Sequence, residues 1–141
     1  MRTGVTLTEL MLVLAVAGIL LGIAVPPIAD ALDRIEVTAA ANQIAAAHNR
    51  ARLLAITRSH VVVLKVDSLA LTITPRGIPS PIWSGPGPGR SRVSLAGAIR
   101  TFTFSPDGFT LGFSNATIRL TRGSATRAVI VSRLGRVRLS R

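Results

Sequence analysis

Residues 10–29 contain no charged side chain, whereas charges are scattered through the rest of the chain. A helix of about twenty such residues is long enough to cross the hydrocarbon core of a bilayer. Gly18, Gly22 and the pair Pro26-Pro27 interrupt the stretch, which membrane helices tolerate when neighbours pack against them. Further along, Val37, Ala40, Ala41, Ile44, Ala47, Ala51 and Leu54 recur at three- and four-residue steps. That spacing draws an apolar stripe along one side of a helix, and its alanines favour helix formation. Asn42, Gln43, Asn49, Arg50 and Arg58 fall mainly off the stripe. One long helix is therefore predicted, from near Val5 to near Thr57. Residues 5–29 form its membrane or filament-core part and residues 30–58 its amphipathic part. Pro26 has no N–H to donate, so a kink or a locally melted turn is expected there.

From residue 59 the pattern switches to a period of two. Residues 60–66 and 69–74 read as strands joined through Asp67-Ser68. Residues 99–104 and 109–113 flank Ser105-Pro106-Asp107-Gly108, a strong turn signal. Ile118 and Leu120, then Val129 and Val131, continue the alternation, and a last hairpin joins 127–132 to 136–140 through Arg133-Leu134-Gly135. Phe102, Phe104, Phe109 and Phe113 are expected at the centre of the core. Residues 75–92 are crowded with proline and glycine and are expected to form an irregular loop. Trp83 lies within it, as a lid folded over the sheet or as an exposed contact; the cost of exposing the ring favours the lid. The fold class predicted is α+β, a long N-terminal helix packed on a small antiparallel β domain spanning 59–141.

Composition narrows the function. The chain has 141 residues, enough for one modest core with an anchor. Cysteine is absent, which excludes disulfides and thiolate sites. His48 and His60 are the only histidines and lack companions for a metal site, so each is read as a packing or surface residue. Beyond Glu36 the only acids are Asp67 and Asp107, both in predicted turns, so no carboxylate pair is available for acid–base work. No nucleophile elbow or phosphate-binding glycine loop is present. The reading is a non-enzyme with no cofactor, no metal and no small-molecule substrate. The formal net charge is +11, and all basic residues except Arg2 and Arg34 follow Glu36. Such a surface attracts polyanions, although abundant arginine also serves simply as a solvated face.

Arg2 precedes the uncharged stretch, whereas Asp30, Asp33 and Glu36 follow it with only Arg34 among them. This asymmetry predicts a single-pass inner-membrane protein with a cytoplasmic N-terminus and a periplasmic C-terminal domain. No small-x-small cleavage site stands at the far end of the stretch, which argues against an ordinary secretory signal. Glu9 is the one carboxylate at the head of the apolar run, a costly place for a charge without a partner. The segment Gly4-Val5-Thr6-Leu7-Thr8-Glu9-Leu10, continued by Met11-Leu12-Val13-Leu14, resembles the processing site of type IV prepilins. That resemblance implies cleavage after Gly4 by a prepilin peptidase, with residues 1–4 as a cytoplasmic leader. It also implies N-methylation of Val5 and an assembly role for Glu9, whose carboxylate would meet the terminal amine of a neighbouring subunit.

The order of elements, the Ser-Pro-Asp-Gly hairpin and the closing Gly135-Arg136-Val137-Arg138 strand resemble minor pseudopilins of the GspH/FimT family. Within that strand Arg136 and Arg138 share a face, about 6.7 Å apart, while Val137 and Leu139 are expected to point into the sheet. Arg133 and Arg141 are candidates to extend the basic patch. Two functions follow from the resemblance. One is a minor subunit, near the tip of a type II secretion pseudopilus or type IV pilus, that supports protein secretion. The alternative is a FimT-like pilin that binds extracellular DNA through the C-terminal arginines during natural transformation. The partners implied are other pilin or pseudopilin subunits, the peptidase, the inner-membrane platform and, in the second reading, DNA.

Overall fold

The computed structural model describes residues 4–97, 99–112, 115–132 and 134–140, with the backbone alone at 24–26. The chain divides into two compact units, Met1–Leu32 and Asp33–Arg141. One helix, α1 (Leu7–Arg58), supplies residues to both. Its assignment runs unbroken through the proline pair, so the melted turn expected at Pro26 does not form.

In the first unit the described helical side chains are all exposed. In the second, Val37, Ala40, Ala41, Ile44, Ala47 and Ala51 are buried, as the periodicity predicts, and Leu54 is half-buried. Ala55 and His48 join the buried side. The helix stops in a Schellman-type cap: Ser59 turns left-handed at φ 49°, His60 N–H donates to the Ala55 carbonyl and Ser59 N–H to that of Ile56.

The β domain has two antiparallel sheets. The first runs β3 (Trp83–Pro86), β2 (Ala70–Pro75), β1 (Val62–Val66), β5 (Arg100–Phe104), β6 (Thr110–Leu111); the second runs β4 (Ser94–Ala96), β7 (Ala116–Arg122), β8 (Ala125–Val131), β9 (Val137–Ser140). In β1, buried Val62, Leu64 and Val66 alternate with the more exposed Val63 and Lys65. Val62 lies opposite Phe104 and Leu64 opposite Phe102. Ile118 and Leu120 of β7 and Val129 and Val131 of β8 belong to the same hydrophobic cluster as the alanines of α1.

Two sequence expectations need correction. The Pro/Gly segment is not all loop: β3 pairs with β2, and Pro88–Ser91 forms a 3-10 turn. An edge strand bonds through only one side of its backbone, so Pro86 is accommodated there. Trp83 is therefore a strand residue, half-buried against the core with the Arg50 guanidinium 5.2 Å from its ring centre. The second correction concerns the aromatic core. Phe102 and Phe104 are buried, but Phe109 is exposed at the tip of the Ser105–Gly108 turn, and Phe113 lies outside the described residues. His48 takes the packing place, one of the two read for it, and is buried beside the two core phenylalanines. Its ring meets Phe104 and Phe102 edge-on at 4.8 and 5.6 Å.

His48 is 1% exposed, and neither ring nitrogen makes a hydrogen bond. Burial pushes its pKa down to about 4. The Asn49 side chain opposes this without reaching hydrogen-bond geometry, and the Arg52 guanidinium adds to the fall. The imidazole is thus a neutral filler of the core near neutral pH.

Two predictions follow from this packing. Phe104→Ala should cost about 3–5 kcal/mol in denaturant unfolding, as for any large ring removed from a core, whereas Phe109→Ala should cost less than about 1 kcal/mol. Because the His48 ring takes a proton less readily folded than unfolded, its contribution to stability is lost as pH falls from about 6.5 towards 4. The loss should approach about 3 kcal/mol at the acid end. His48→Leu should remove that part of the acid sensitivity, measured as the change in urea midpoint between pH 7 and pH 4.5.

Candidate functional site

The first candidate surface begins at Gly4 and Val5, both exposed. Thr6 caps α1: its hydroxyl accepts from the Glu9 N–H at 3.3 Å, and its carbonyl accepts from the Leu10 N–H at 3.1 Å. Thr6 with Glu9 thus forms the sequence frame of a capping box, a local role for Glu9 that the processing motif alone does not reveal. After Glu9 the helix is apolar on every side and no described residue covers it: Leu12, Leu14, Ile19 and Ile23 are 66%, 63%, 64% and 71% exposed. By length and composition this segment is capable of crossing a membrane. Among soluble arrangements, a helix hydrophobic all round would have to be buried.

In the second unit, the side of α1 turned away from the sheets has its own order. Ile35, Ala39, Asn42, Ala46, Asn49 and Leu53 are all exposed and follow one another at alternating steps of four and three. That is the spacing of a coiled-coil seam, with small and amide side chains in the middle. From the sequence, Asn42 and Asn49 read only as part of the solvated face.

The third surface is a groove of about 720 Å³ between α1 and the β8–β9 hairpin, lined by Asn49 and Arg52 from the helix and by Ser132 and Leu134–Arg138 from the hairpin. Main-chain bonds fix the turn: Ser132 N–H donates to the Arg136 carbonyl at 2.9 Å and Gly135 N–H to the Ser132 carbonyl at 2.9 Å. The Ser132 hydroxyl accepts from the Arg136 N–H at 3.1 Å. Gly135 takes φ 73°, which suits glycine. Arg136 and Arg138 are exposed and both line the groove, as their shared strand face predicts. Arg133 and Arg141 lie outside the described residues. Val137 packs against the core as expected, but Leu139 is exposed, because β9 is an edge strand whose inner face is covered only near its start. Arg52 is the cation that sequence reasoning missed. It is separated from the motif by roughly eighty residues of chain, and no local signal marks it. It also stands beside Gly108 (φ 78°), where an added Cβ would come 2.7 Å from Ile56 and 3.3 Å from the Arg52 Nε. The Ser105–Gly108 turn is therefore held tightly against the same helix face.

Among the described residues no group of three His, Cys, Asp or Glu side chains is placed to hold a metal ion.

A helix that is apolar and unburied in its first unit and backs antiparallel sheets in its second defines a pilin-like subunit. The chain belongs to the family described as type II transport protein GspH, whose family model matches residues 40–135. It is 34% identical, over 155 aligned positions covering 98% of both chains, to the pilin-like protein PilA1 of Thermus thermophilus. Its fold is similar to that of the type IV minor pilin FimU of Pseudomonas aeruginosa (strain PAO1) in two crystal forms. The TM-scores are 0.62 and 0.59 at 20% and 19% identity, over 77% and 74% of this chain and 90% and 92% of that one. The protein is a member of a family of structural pilin subunits, which are not enzymes, and its N-terminal helix is long and apolar enough to cross a membrane.

Proposed function

We propose that this chain is a minor subunit of an inner-membrane filament, a type IV pilus or type II secretion pseudopilus, and that it assembles through α1 to support protein secretion. The observation that carries this reading is the stretch after Glu9, apolar on all sides and uncovered. Only lipid or other helices can satisfy such a surface. In this reading a prepilin peptidase cuts after Gly4 and Val5 becomes the methylated terminus. Residues 5–29 cross the inner membrane with the N-terminus cytoplasmic, and the β domain stands in the periplasm on an inner-membrane platform. The Glu9 carboxylate then meets the terminal amine of the next subunit. The exposed seam from Ile35 to Leu53 continues the contact outside the membrane, and its two asparagines set register between neighbours. The family description, type II transport, supports a role in secretion.

A second reading is favoured by the presence of Arg52 in the groove with Arg136 and Arg138. Three guanidiniums from two elements suit phosphate oxygens of a nucleic-acid backbone. Contact would be with phosphates, so sequence preference would be weak and salt dependence strong.

Side-by-side assays of exoprotein secretion, piliation and transformation in a gene deletion separate the two readings: loss of secretion supports the first, and loss of transformation alone supports the second. Glu9→Gln tests the assembly role. Glutamine serves a capping box as well as glutamate does, so helicity should be unchanged while incorporation into filaments, measured by shearing and immunoblot, falls at least about tenfold. A variant that assembles normally would remove the charge pair from the account. For the DNA reading, Arg136→Ala with Arg138→Ala should flatten the slope of log affinity against log salt by about 2 for duplex DNA. An unchanged slope would exclude this groove as the contact.

A further inference from the structure

A second basic hollow lies within the β domain unit, distinct from the C-terminal groove. Its volume is about 340 Å³, and it is lined by Arg34 and Val37 of α1 and by Ser124, Ala125, Thr126 and Arg127 of the β7–β8 hairpin. Val37 forms a buried apolar floor, Arg127 is half-buried, and Arg34 is exposed. Two arginines and two hydroxyl-bearing residues therefore line one cavity, with Ser124 already engaged.

The ion pair formed at this end of the unit is Arg122–Asp33, and it includes neither arginine of the hollow. Asp33 beside them is already taken: its carboxylate accepts from the Arg122 Nε at 2.8 Å, and the same guanidinium donates to the Ser91 carbonyl at 2.8 Å. Asp30, a turn earlier, is also engaged. Two like charges sharing a hollow raise its energy, and a phosphate lowers it by accepting from both forks at once.

Position selects the kind of phosphate. Fifteen residues of α1 separate Arg34 from Asn49, roughly 22 Å of helix. The length of β8, from the hollow at Ala125 to the groove beyond Val131, is roughly 20 Å. Two elements thus agree that the hollow and the C-terminal groove lie at opposite ends of the β domain unit. The hollow is at the end where the chain arrives from the apolar stretch. Arg34 follows the last residue of that stretch by five positions, so connectivity alone keeps it within about 18 Å of the point where the chain leaves the hydrocarbon. Basic side chains at that depth attract anionic headgroups.

We infer that the Arg34–Arg127 hollow binds the phosphate of an anionic phospholipid headgroup and so fixes the β domain against the membrane surface before the subunit enters a filament. The inference rests on the reading of residues 10–29 as membrane-embedded. Extraction into a filament would then have to break this contact, which makes it a holding site and not a permanent bond.

The test uses the full chain reconstituted in nanodiscs of phosphatidylcholine, with and without phosphatidylglycerol, read by amide hydrogen exchange. Residues 124–127 should exchange roughly thirtyfold more slowly when phosphatidylglycerol is present, about what two arginine–headgroup contacts supply. Arg34→Gln, at an exposed position with little bearing on folding, and Arg127→Gln should each remove most of that protection. Arg136→Gln should leave it intact. Equal protection in phosphatidylcholine discs by millimolar inorganic phosphate, or by a DNA duplex, would show that the hollow takes a soluble phosphate and would overturn the lipid assignment. A chain that enters the disc without phosphatidylglycerol-dependent protection would overturn the hollow alone. A chain that fails to enter would overturn the anchor reading and the inference with it.

Discussion

The rest of the structure depends on one face of α1 being buried by the β domain while its other faces stay free. The buried stripe is made mostly of alanine, with Val37 and Ile44 as its larger members. Small side chains let strand residues approach the helix backbone closely, so large partners such as Phe104, Leu64 and Ile118 complete the packing from the sheet side. A stripe this narrow leaves the opposite side of the helix uncovered. The same element can therefore be the spine of a soluble domain and a docking surface along its length, and the exposed seam from Ile35 to Leu53 is the direct consequence.

What the sequence made legible was what depends on period. The three- and four-residue steps identified the buried positions from Val37 to Ala51 but not Ala55, and alternation identified Ile118, Leu120, Val129 and Val131. What it left hidden depends on partners remote in the chain. Phe109 and Phe104 sit on either side of one turn and look equivalent in sequence. Only the register of β5 against β1 buries one ring and leaves the other in solvent. Pairing with β2, remote from any local propensity, makes a strand of a Trp-Ser-Gly-Pro segment. His48 was read as a packing or surface residue, and the fold decides for packing. In place it stacks edge-on against two phenylalanines, and neutrality makes it behave as a third ring. The site was legible in the same uneven way. The processing motif and the paired arginines were explicit, but Arg52 and the Arg34–Arg127 hollow exist only after helix and hairpins meet.

Charge follows the same logic. A formal +11 spread evenly would mean little beyond solubility. Here helix and hairpin arginines combine in two places, one at either end of the β domain unit. Beside the first of them Asp33 and Arg122 neutralise each other and tie α1 to the strand side of the domain. The fold thus commits one acid to architecture and leaves these cations for outside anions.

Glu9 shows how magnitudes separate a local role from an assembly role. At the start of α1 a carboxylate gains about 0.3–1 kcal/mol from the helix dipole and can close a capping box with Thr6. Aspartate, glutamine or a capping threonine alone would supply most of that. Moving an ionised carboxylate into a hydrocarbon or helix-packed interior costs several kcal/mol unless a cation meets it. The local gain is therefore too small to justify a full charge at the head of the apolar stretch. The chain's own described cations begin at Arg34, too far along α1 to help. In a bundle of parallel helices, the nearby positive charge that remains is the terminal amine of an adjacent copy or homologue, offset along the axis. In the filament we propose, a single acid in this place is half of a contact whose other half belongs to another subunit.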